Sequence, residues 1–187
     1  MTIDETKLNE LMGKIVGDLG VAMSSALLVL GDRLGLYKAM AKLGAVTPSE
    51  LAKRTETSER YVREWLNAQA AAGYVVYDAT NGRYTLPAEQ AFALADDESP
   101  ASAAGAFHIA RAMWAALDKM EANFKTGDGL EWGHQHPCLF EGTERFFRAG
   151  YIGNLIGSWI PALDGVQAKL EKGAKVADIG CGCGASS

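Results

Sequence analysis

A run of glycines close to the end of the sequence carries the clearest signal for chemistry. Residues 175–179 form a short segment, apolar at 176, 177 and 179, that predicts a β-strand, and Gly180, Gly182 and Gly184 follow it at alternate positions. Glycine lets the backbone turn sharply and approach a ligand closely, because it has no side chain. In open α/β sheets, ligands bind at the carboxyl ends of the strands. The segment therefore predicts a cofactor-binding loop.

Two classes of cofactor fit this loop. Gly180, Gly182 and Ala185 satisfy the loosened dinucleotide pattern G-x-G-x-x-G/A. Asp178, two residues before the first glycine, favours S-adenosylmethionine, because a carboxylate repels a pyrophosphate and attracts a sulfonium and an amino group. We expect Asp178, Gly180, Cys181 and Gly182 to be cofactor contacts.

The elements ahead of the loop are mostly helical. Residues 4–43 are predicted to be helical, with Gly17 and Gly20 as possible breaks, because apolar residues from Leu8 to Leu19 recur on one helix face. Apolar helices at a chain terminus have little to pack against in a small domain. We therefore expect them to form the interface of a homodimer.

The next segment has the order of a winged helix. Thr47 and Glu50 predict a capping box at the start of a helix, and a second helix follows over residues 58–72. Two β-rich runs flank Asn81-Gly82, which is a hairpin signal. Helix, turn, helix and hairpin together predict a winged helix.

Longer helices are predicted over residues 103–124 and from about 140 or 143 to 159, with a loop between them at 126–138 and a short helix at 163–170. In the 143–159 helix, Phe146 shares a face with several glycines. Each helical glycine costs about 1 kcal/mol relative to alanine, so such a face indicates tight packing or the wall of a ligand chamber. We assign Phe146 and Tyr151 to such a wall. The glycines are Gly150, Gly153 and Gly157.

These motifs resemble those of class I S-adenosylmethionine-dependent methyltransferases. Residues 176–184 are similar to motif I of that family. Residues 31–37, 47–52, 63–66 and 73–75 are similar to the helical and winged-helix N-terminal region of bacterial and plant small-molecule O-methyltransferases. The resemblance covers nearly the whole chain. It implies methyl transfer from S-adenosylmethionine to a small molecule by a homodimer whose winged helix does not bind DNA.

The resemblance also implies a fold and a domain order. The fold is mainly α, with a winged helix and one β-hairpin, followed by the first strand of a truncated Rossmann-like α/β domain. We predict a dimerisation domain over 1–99, a helical connector and substrate chamber over 100–172, and the start of the adenosylmethionine domain over 173–187. In the family that domain continues well past motif I. We therefore expect the sequence as given to be inactive on its own and to bind cofactor poorly.

A winged-helix transcriptional regulator that binds a small ligand is the alternative function. Basic and acidic residues balance over residues 47–85, and the whole chain has a net charge of −5. DNA-binding modules carry a basic surface because phosphate contacts dominate their affinity. The charge balance favours a structural winged helix, and nucleic acid is not an expected partner.

Other chemistry-bearing residues favour ordinary roles. His134, His136 and Cys138 offer three ligands where structural zinc normally takes four, so we expect no metal. Cys181 and Cys183 fit as small residues of the glycine loop. His108 fits as a hydrogen-bonded or exposed helix residue.

The sequence also indicates a cellular location. Its three cysteines are too few and odd in number for a disulfide framework, which is typical of a reducing compartment. The N-terminus has no signal-peptide pattern, and the longest strongly apolar run, residues 26–30, is too short to span a bilayer. We expect a cytoplasmic protein without a membrane partner.

Overall fold

The computed structural model describes residues 3–186, which are mainly helical with one small antiparallel sheet, as predicted. The elements in chain order are α1 Glu5–Arg33, α2 Leu36–Leu43, α3 Pro48–Thr55, α4 Glu59–Ala71, β1 Val76–Asp78, β2 Arg83–Thr85, α5 Ala88–Leu94, α6 Ala104–Ala115, α7 Leu117–Thr126, a 3₁₀ turn Trp132–His134, α8 Pro137–Asn154, a π-helical turn Leu155–Trp159 and α9 Val166–Glu171.

The predicted winged helix is confirmed, and both the capping box and the Asn-Gly turn are present where the sequence predicts them. The Thr47 side chain accepts a hydrogen bond from the Glu50 amide, and the Glu50 carboxylate accepts one from the Thr47 amide. Strands β1 and β2 pair antiparallel, and Gly82 in the turn between them has φ 68°. A positive φ favours glycine, so the Asn-Gly signal has a direct structural cause.

The main hydrophobic core lies inside the winged helix and receives the C-terminal part of α1. Trp65 donates a hydrogen bond from Nε1 to the Leu27 carbonyl at 2.9 Å, and Tyr37 packs edge-on against Trp65. A Cβ on Gly31 would lie 2.5 Å from the Trp65 ring. Glycine at this position therefore lets α1 approach the core closely.

Helix α1 is continuous through Gly17 and Gly20, and residues 5–21 are exposed along their whole length. By length and composition it could cross a membrane, since an 18-residue window has a mean hydropathy of 1.6. The expectation that no apolar segment is long enough is therefore wrong. Considering only the uninterrupted apolar run missed it, because the mean hydropathy of a longer window stays high across isolated glycine and polar residues. One such helix is weak evidence for a membrane span, since core helices meet the same criteria.

Two sequence-predicted helices differ from the structure. The helix expected over 103–124 is divided at Ala116, whose amide donates to the carbonyls of Ala112 and Met113 and so tightens the last turn of α6. Helix α8 begins at Pro137, earlier than expected, and ends at Asn154 before the π-helical turn. Neither the break at Ala116 nor the end of α8 at Asn154 is marked by proline.

The predicted strand at residues 175–179 is not formed in the described part of the chain. Within residues 3–186 the only sheet is the β1–β2 hairpin. Val176 and Ile179 are 72% and 96% exposed. A strand requires a partner for its ladder hydrogen bonds, and no strand lies beside this segment.

The closest helix packing is between α6 and α8, where two glycines face each other. A Cβ on Gly105 would lie 2.7 Å from the Gly142 carbonyl oxygen, and one on Gly142 would lie 2.8 Å from the Gly105 carbonyl oxygen. The contact is two turns before the glycine face predicted on this helix. On that face, a Cβ added at Gly153 would lie 3.1 Å from the Pro100 side chain, whereas at Gly150 the nearest atom is 3.8 Å away and at Gly157 none lies within 4 Å.

Gly142→Ala should destabilise the protein, because the added methyl group meets backbone atoms of α6 that cannot move independently of the helix. We expect the free energy of unfolding to fall by about 1–3 kcal/mol in chemical denaturation. Gly17→Ala is the matched control. It adds a methyl group in open space and should raise stability by up to about 1 kcal/mol. Equal stability of Gly142→Ala and the wild type would contradict this account of the α6–α8 contact.

Candidate functional site

The glycine loop, residues 180–184, lies against α8 and forms a pocket of about 340 Å³ with it, called the loop pocket below. The loop contributes backbone and small side chains, and α8 contributes aromatic ones. The lining residues are Trp132, Phe140, Thr143, Glu144, Phe147, Tyr151, Gly180, Cys181, Gly182, Cys183 and Ala185.

The conformation of the glycine loop requires glycine. Gly180, Gly182 and Gly184 have φ values of 80°, 56° and 81°, in the left-handed region that other residues rarely adopt. No described atom lies within 4 Å of a Cβ added at any of them. The backbone here is accessible, so a ligand can approach its amide groups.

The α8 side of the loop pocket is one stripe of the helix. Phe140, Glu144, Phe147 and Tyr151 lie at i, i+4, i+7 and i+11, the spacing of a single helix face. Trp132, from the 3₁₀ turn, packs edge-on against Phe140 with ring centroids 5.2 Å apart. The helix therefore supplies an aromatic wall with one carboxylate in it.

Four of the six sequence-predicted site residues line this pocket together: Tyr151, Gly180, Cys181 and Gly182. Phe146 is beside the pocket, packed edge-on against the Phe147 ring, and is not among the lining residues. Asp178 also lies outside the lining and accepts a hydrogen bond from the Ser186 hydroxyl. The assignment of these six residues to a cofactor stays a prediction.

Sequence reasoning missed the remainder of the aromatic wall. Trp132 falls in a segment expected to be loop, and Phe140 was placed at or before the start of the helix. The spacing from Phe147 to Tyr151, continued one and two turns upstream, would have found Glu144 and Phe140. No sequence signal indicated Trp132.

A buried charge cluster fixes α8 to the rest of the molecule. Both Asp32 oxygens accept hydrogen bonds from the Arg145 guanidinium, at 2.7 and 2.8 Å. His108 Nε2 donates to the same carboxylate at 2.7 Å. Arg145 also donates to Asp97 at 2.9 Å, and Lys38 pairs with Asp97. The cluster connects α1, α2, α6 and α8.

Electrostatics keeps the central carboxylate ionised. Burial raises the pKa of Asp32, but the hydrogen bonds from Arg145 and His108 outweigh it and hold the pKa below its ordinary value. A carboxyl group with a lowered pKa stabilises the fold above its unfolded pKa, and that contribution is lost as the pH falls through the folded pKa. The cluster should therefore weaken below about pH 4.

His108 and His136 have structural roles in this arrangement. His108 is buried, which agrees with a hydrogen-bonded helix residue, although its Nδ1 has no hydrogen-bond partner within residues 3–186. His136 caps α8 by accepting from the Cys138 amide at 3.1 Å, and Cys138 is buried. No group of three or more His, Cys, Asp or Glu side chains in the described residues could hold a metal ion.

Comparison with known proteins agrees with the winged helix. Residues 22–96 match the family model described as the Rv2258c-like winged HTH domain. This segment is therefore similar to winged helices of the Rv2258c-like type. No curated protein matches the chain significantly.

Two solved structures share the wider fold. PigF, solved with SAH, is 20% identical, with a TM-score of 0.56 over 89% of this chain and 50% of that chain. Human N-acetylserotonin methyltransferase, solved with SAM, is 15% identical, with a TM-score of 0.55 over 82% of this chain and 47% of that chain. The chain thus spans about half the length of the structures it matches. At the level of fold, the predicted resemblance to methyltransferases is confirmed.

Arg145→Met should strongly destabilise the protein, because it leaves the Asp32 carboxylate, 7% exposed, without its main partner. We expect the free energy of unfolding at neutral pH to fall by about 3–5 kcal/mol. Arg148 lies on the same helix as Arg145, and Arg148→Met, which removes an exposed ion pair with Glu98, should cost about 1 kcal/mol or less. Similar losses in both variants, measured by chemical denaturation, would contradict a dominant role for the buried cluster.

Proposed function

We propose that this chain is the N-terminal portion of an S-adenosylmethionine-dependent methyltransferase that acts on a small molecule. The observation that carries the proposal is the loop pocket, where Gly180, Cys181 and Gly182 meet the Tyr151 face of α8. The fold shared with structures solved with SAH and SAM supports the same cofactor class. Three free cysteines support a cytoplasmic location.

The lining of the loop pocket favours S-adenosylmethionine over a dinucleotide. No arginine or lysine is among its described lining residues, so a pyrophosphate would gain no cationic side chain there. Glu144 lines the pocket, and Asp178 lies two residues before the loop. Negative charge near the site suits a cofactor that carries a sulfonium and an amino group.

This half of the enzyme contributes binding and orientation. S-adenosylmethionine, when bound, supplies an activated methyl group for in-line displacement, a reaction in which alignment provides much of the rate. The accessible backbone of the glycine loop and the aromatic wall of α8 hold the cofactor between them and shield it from water. An oxygen nucleophile also needs a general base, and none is assigned among these residues.

The alternative, a ligand-binding transcriptional regulator, has less support. On α4, Arg60 pairs with Glu64 at 2.6 Å and Arg63 pairs with Glu59, each within one helical turn. Arg83, on the hairpin, pairs with Glu50. These carboxylates neutralise the arginines that would otherwise attract phosphates.

A homodimer is the assembly that we propose, with α1 as its interface. A groove of about 510 Å³ between α1 and α6 has an apolar lining, to which Met23, Phe107 and Trp114 contribute. Arg33 and Arg111 also line it, and neither has an acidic partner within residues 3–186. A partner for this groove should be an apolar helix that carries acidic residues.

The exposed N-terminal half of α1 from a second copy has that chemistry. In an antiparallel pair centred on Leu19, the partner subunit's Leu8 lies opposite Leu30, and the partner subunit's Glu5 lies opposite Arg33. Leu8, Leu19 and Leu30 are each at least 42% exposed in a single chain. An isolated projecting helix is marginally stable in water, so pairing stabilises it as well.

Gly182→Val tests the cofactor site. The substitution strains the loop at φ 56° and adds a branched side chain beside the pocket. We expect the affinity of the full-length protein for S-adenosylhomocysteine, measured by calorimetry, to fall at least about tenfold, with the melting temperature unchanged. The control is Gly129→Val, which has open space and no positive φ.

Absence of S-adenosylhomocysteine binding by the wild-type full-length protein would contradict the methyltransferase proposal. If that protein also retained a specific DNA fragment in gel-shift experiments at low salt, the regulator would be favoured instead.

Leu19→Asp tests the dimer. It places two carboxylates together at the proposed two-fold axis, so we expect the dimer dissociation constant from analytical ultracentrifugation to rise at least about 100-fold. Val21→Asp is the control, because Val21 is 71% exposed and lies on the opposite face of α1. A wild-type protein that is monomeric, or that sediments with phospholipid vesicles through α1, would contradict the proposal.

A further inference from the structure

The loop pocket is lined by aromatic residues and by a single acidic side chain. Phe140, Phe147 and Tyr151 lie on one face of α8 with Glu144, and Trp132 completes the wall from the 3₁₀ turn. Glu144 is the only charged residue among the described lining residues. It is half-buried and has no hydrogen bond or ion pair with any residue between 3 and 186. A carboxylate without a protein partner on an aromatic wall is available to a cation from outside the chain.

Aromatic faces and a carboxylate together form the chemistry that recognises organic cations. The faces of Trp, Tyr and Phe rings attract positive charge, and groups of such rings bind quaternary ammonium ligands. A sulfonium resembles these ligands, because it is a poorly hydrated cation that carries its charge next to carbon substituents. A phosphate or other anion would be repelled by both parts of this wall.

We propose that Glu144 and the aromatic wall of α8 recognise the sulfonium charge, so that the site prefers S-adenosylmethionine to S-adenosylhomocysteine. This inference rests on the proposed function of the loop pocket. Methyl transfer forms a bond from the acceptor to the methyl carbon and breaks the carbon–sulfur bond, whose electron pair stays on sulfur. The product therefore carries a neutral thioether at the position of the charge. Loss of that charge weakens the contact and favours product release.

Comparison of the two ligands isolates this contact. The adenosine, amino and carboxylate groups are common to both molecules, so a variant that acts on them weakens both ligands equally. Glu144→Gln keeps the size and polarity of the side chain and removes its charge. In calorimetry on the full-length protein, we expect this variant to lower the affinity for S-adenosylmethionine about tenfold and the affinity for S-adenosylhomocysteine about twofold or less.

Sinefungin provides a second ligand for the same test. It carries a protonated amine at the position of the sulfonium and is not a methyl donor, so its affinity is measured without turnover. Glu144→Gln should lower the affinity for sinefungin by about as much as it lowers the affinity for S-adenosylmethionine. Phe147→Leu keeps the apolar bulk and removes one aromatic face. It should also lower the affinity for the two cationic ligands more than the affinity for S-adenosylhomocysteine. Glu141→Gln is the control, since Glu141 is exposed on α8 and outside the pocket lining.

The outcomes separate this inference from the function on which it rests. If the wild-type protein binds S-adenosylhomocysteine but Glu144→Gln weakens all three ligands equally or none of them, charge recognition by Glu144 is wrong and the cofactor assignment survives. If the wild-type protein binds none of the three, the proposed function fails, and this inference fails with it. A Glu141→Gln variant that reproduces the Glu144→Gln pattern would also overturn the inference.

Discussion

The ion pair between Asp32 and Arg145 is the constraint on which the arrangement of this molecule depends. Asp32 lies near the end of α1, where Gly31 brings the helix against Trp65 and the winged-helix core. Arg145 lies in the middle of α8. Because both groups are charged and largely withdrawn from water, neither can leave the other without a large desolvation cost. The pair therefore fixes the rotation of α8 about its own axis relative to the winged helix.

That rotation decides which residues of α8 are available for a ligand. Gly142 and Arg145 face α6 and α1, where a glycine contact and the charge cluster hold them. Glu144, Phe147 and Tyr151 consequently face the glycine loop. A helix rotated by one residue would direct Phe146 into the pocket, as the sequence-based interpretation had it. The contacts that α8 makes with α1 and α6 on its opposite face thus determine that Phe147, and not Phe146, lines the loop pocket.

Local signals predicted the winged helix, because a capping box and an Asn-Gly turn depend on residues only a few positions apart. Predictions failed where the structure depends on contacts between residues that are far apart in the sequence. The charge cluster joins Asp32 to His108 and Arg145, which no periodicity relates to it. The glycine contact depends on Gly105 and Gly142 facing each other from separate helices. The strand over 175–179 was predicted from its composition alone, whereas a strand also needs a neighbour to pair with.

The winged helix has the fold of a DNA-binding module without the charge distribution of one. Its arginines on α4 and the hairpin are paired with carboxylates of the same domain, so they carry little potential toward a phosphate backbone. Its neighbouring carboxylates, Asp32 and Asp97, instead point at Arg145. The charge of these arginines is thus compensated within the domain, and the two neighbouring carboxylates are directed toward α8. In this chain these contacts join the winged helix to α8, the helix that carries the aromatic wall of the loop pocket.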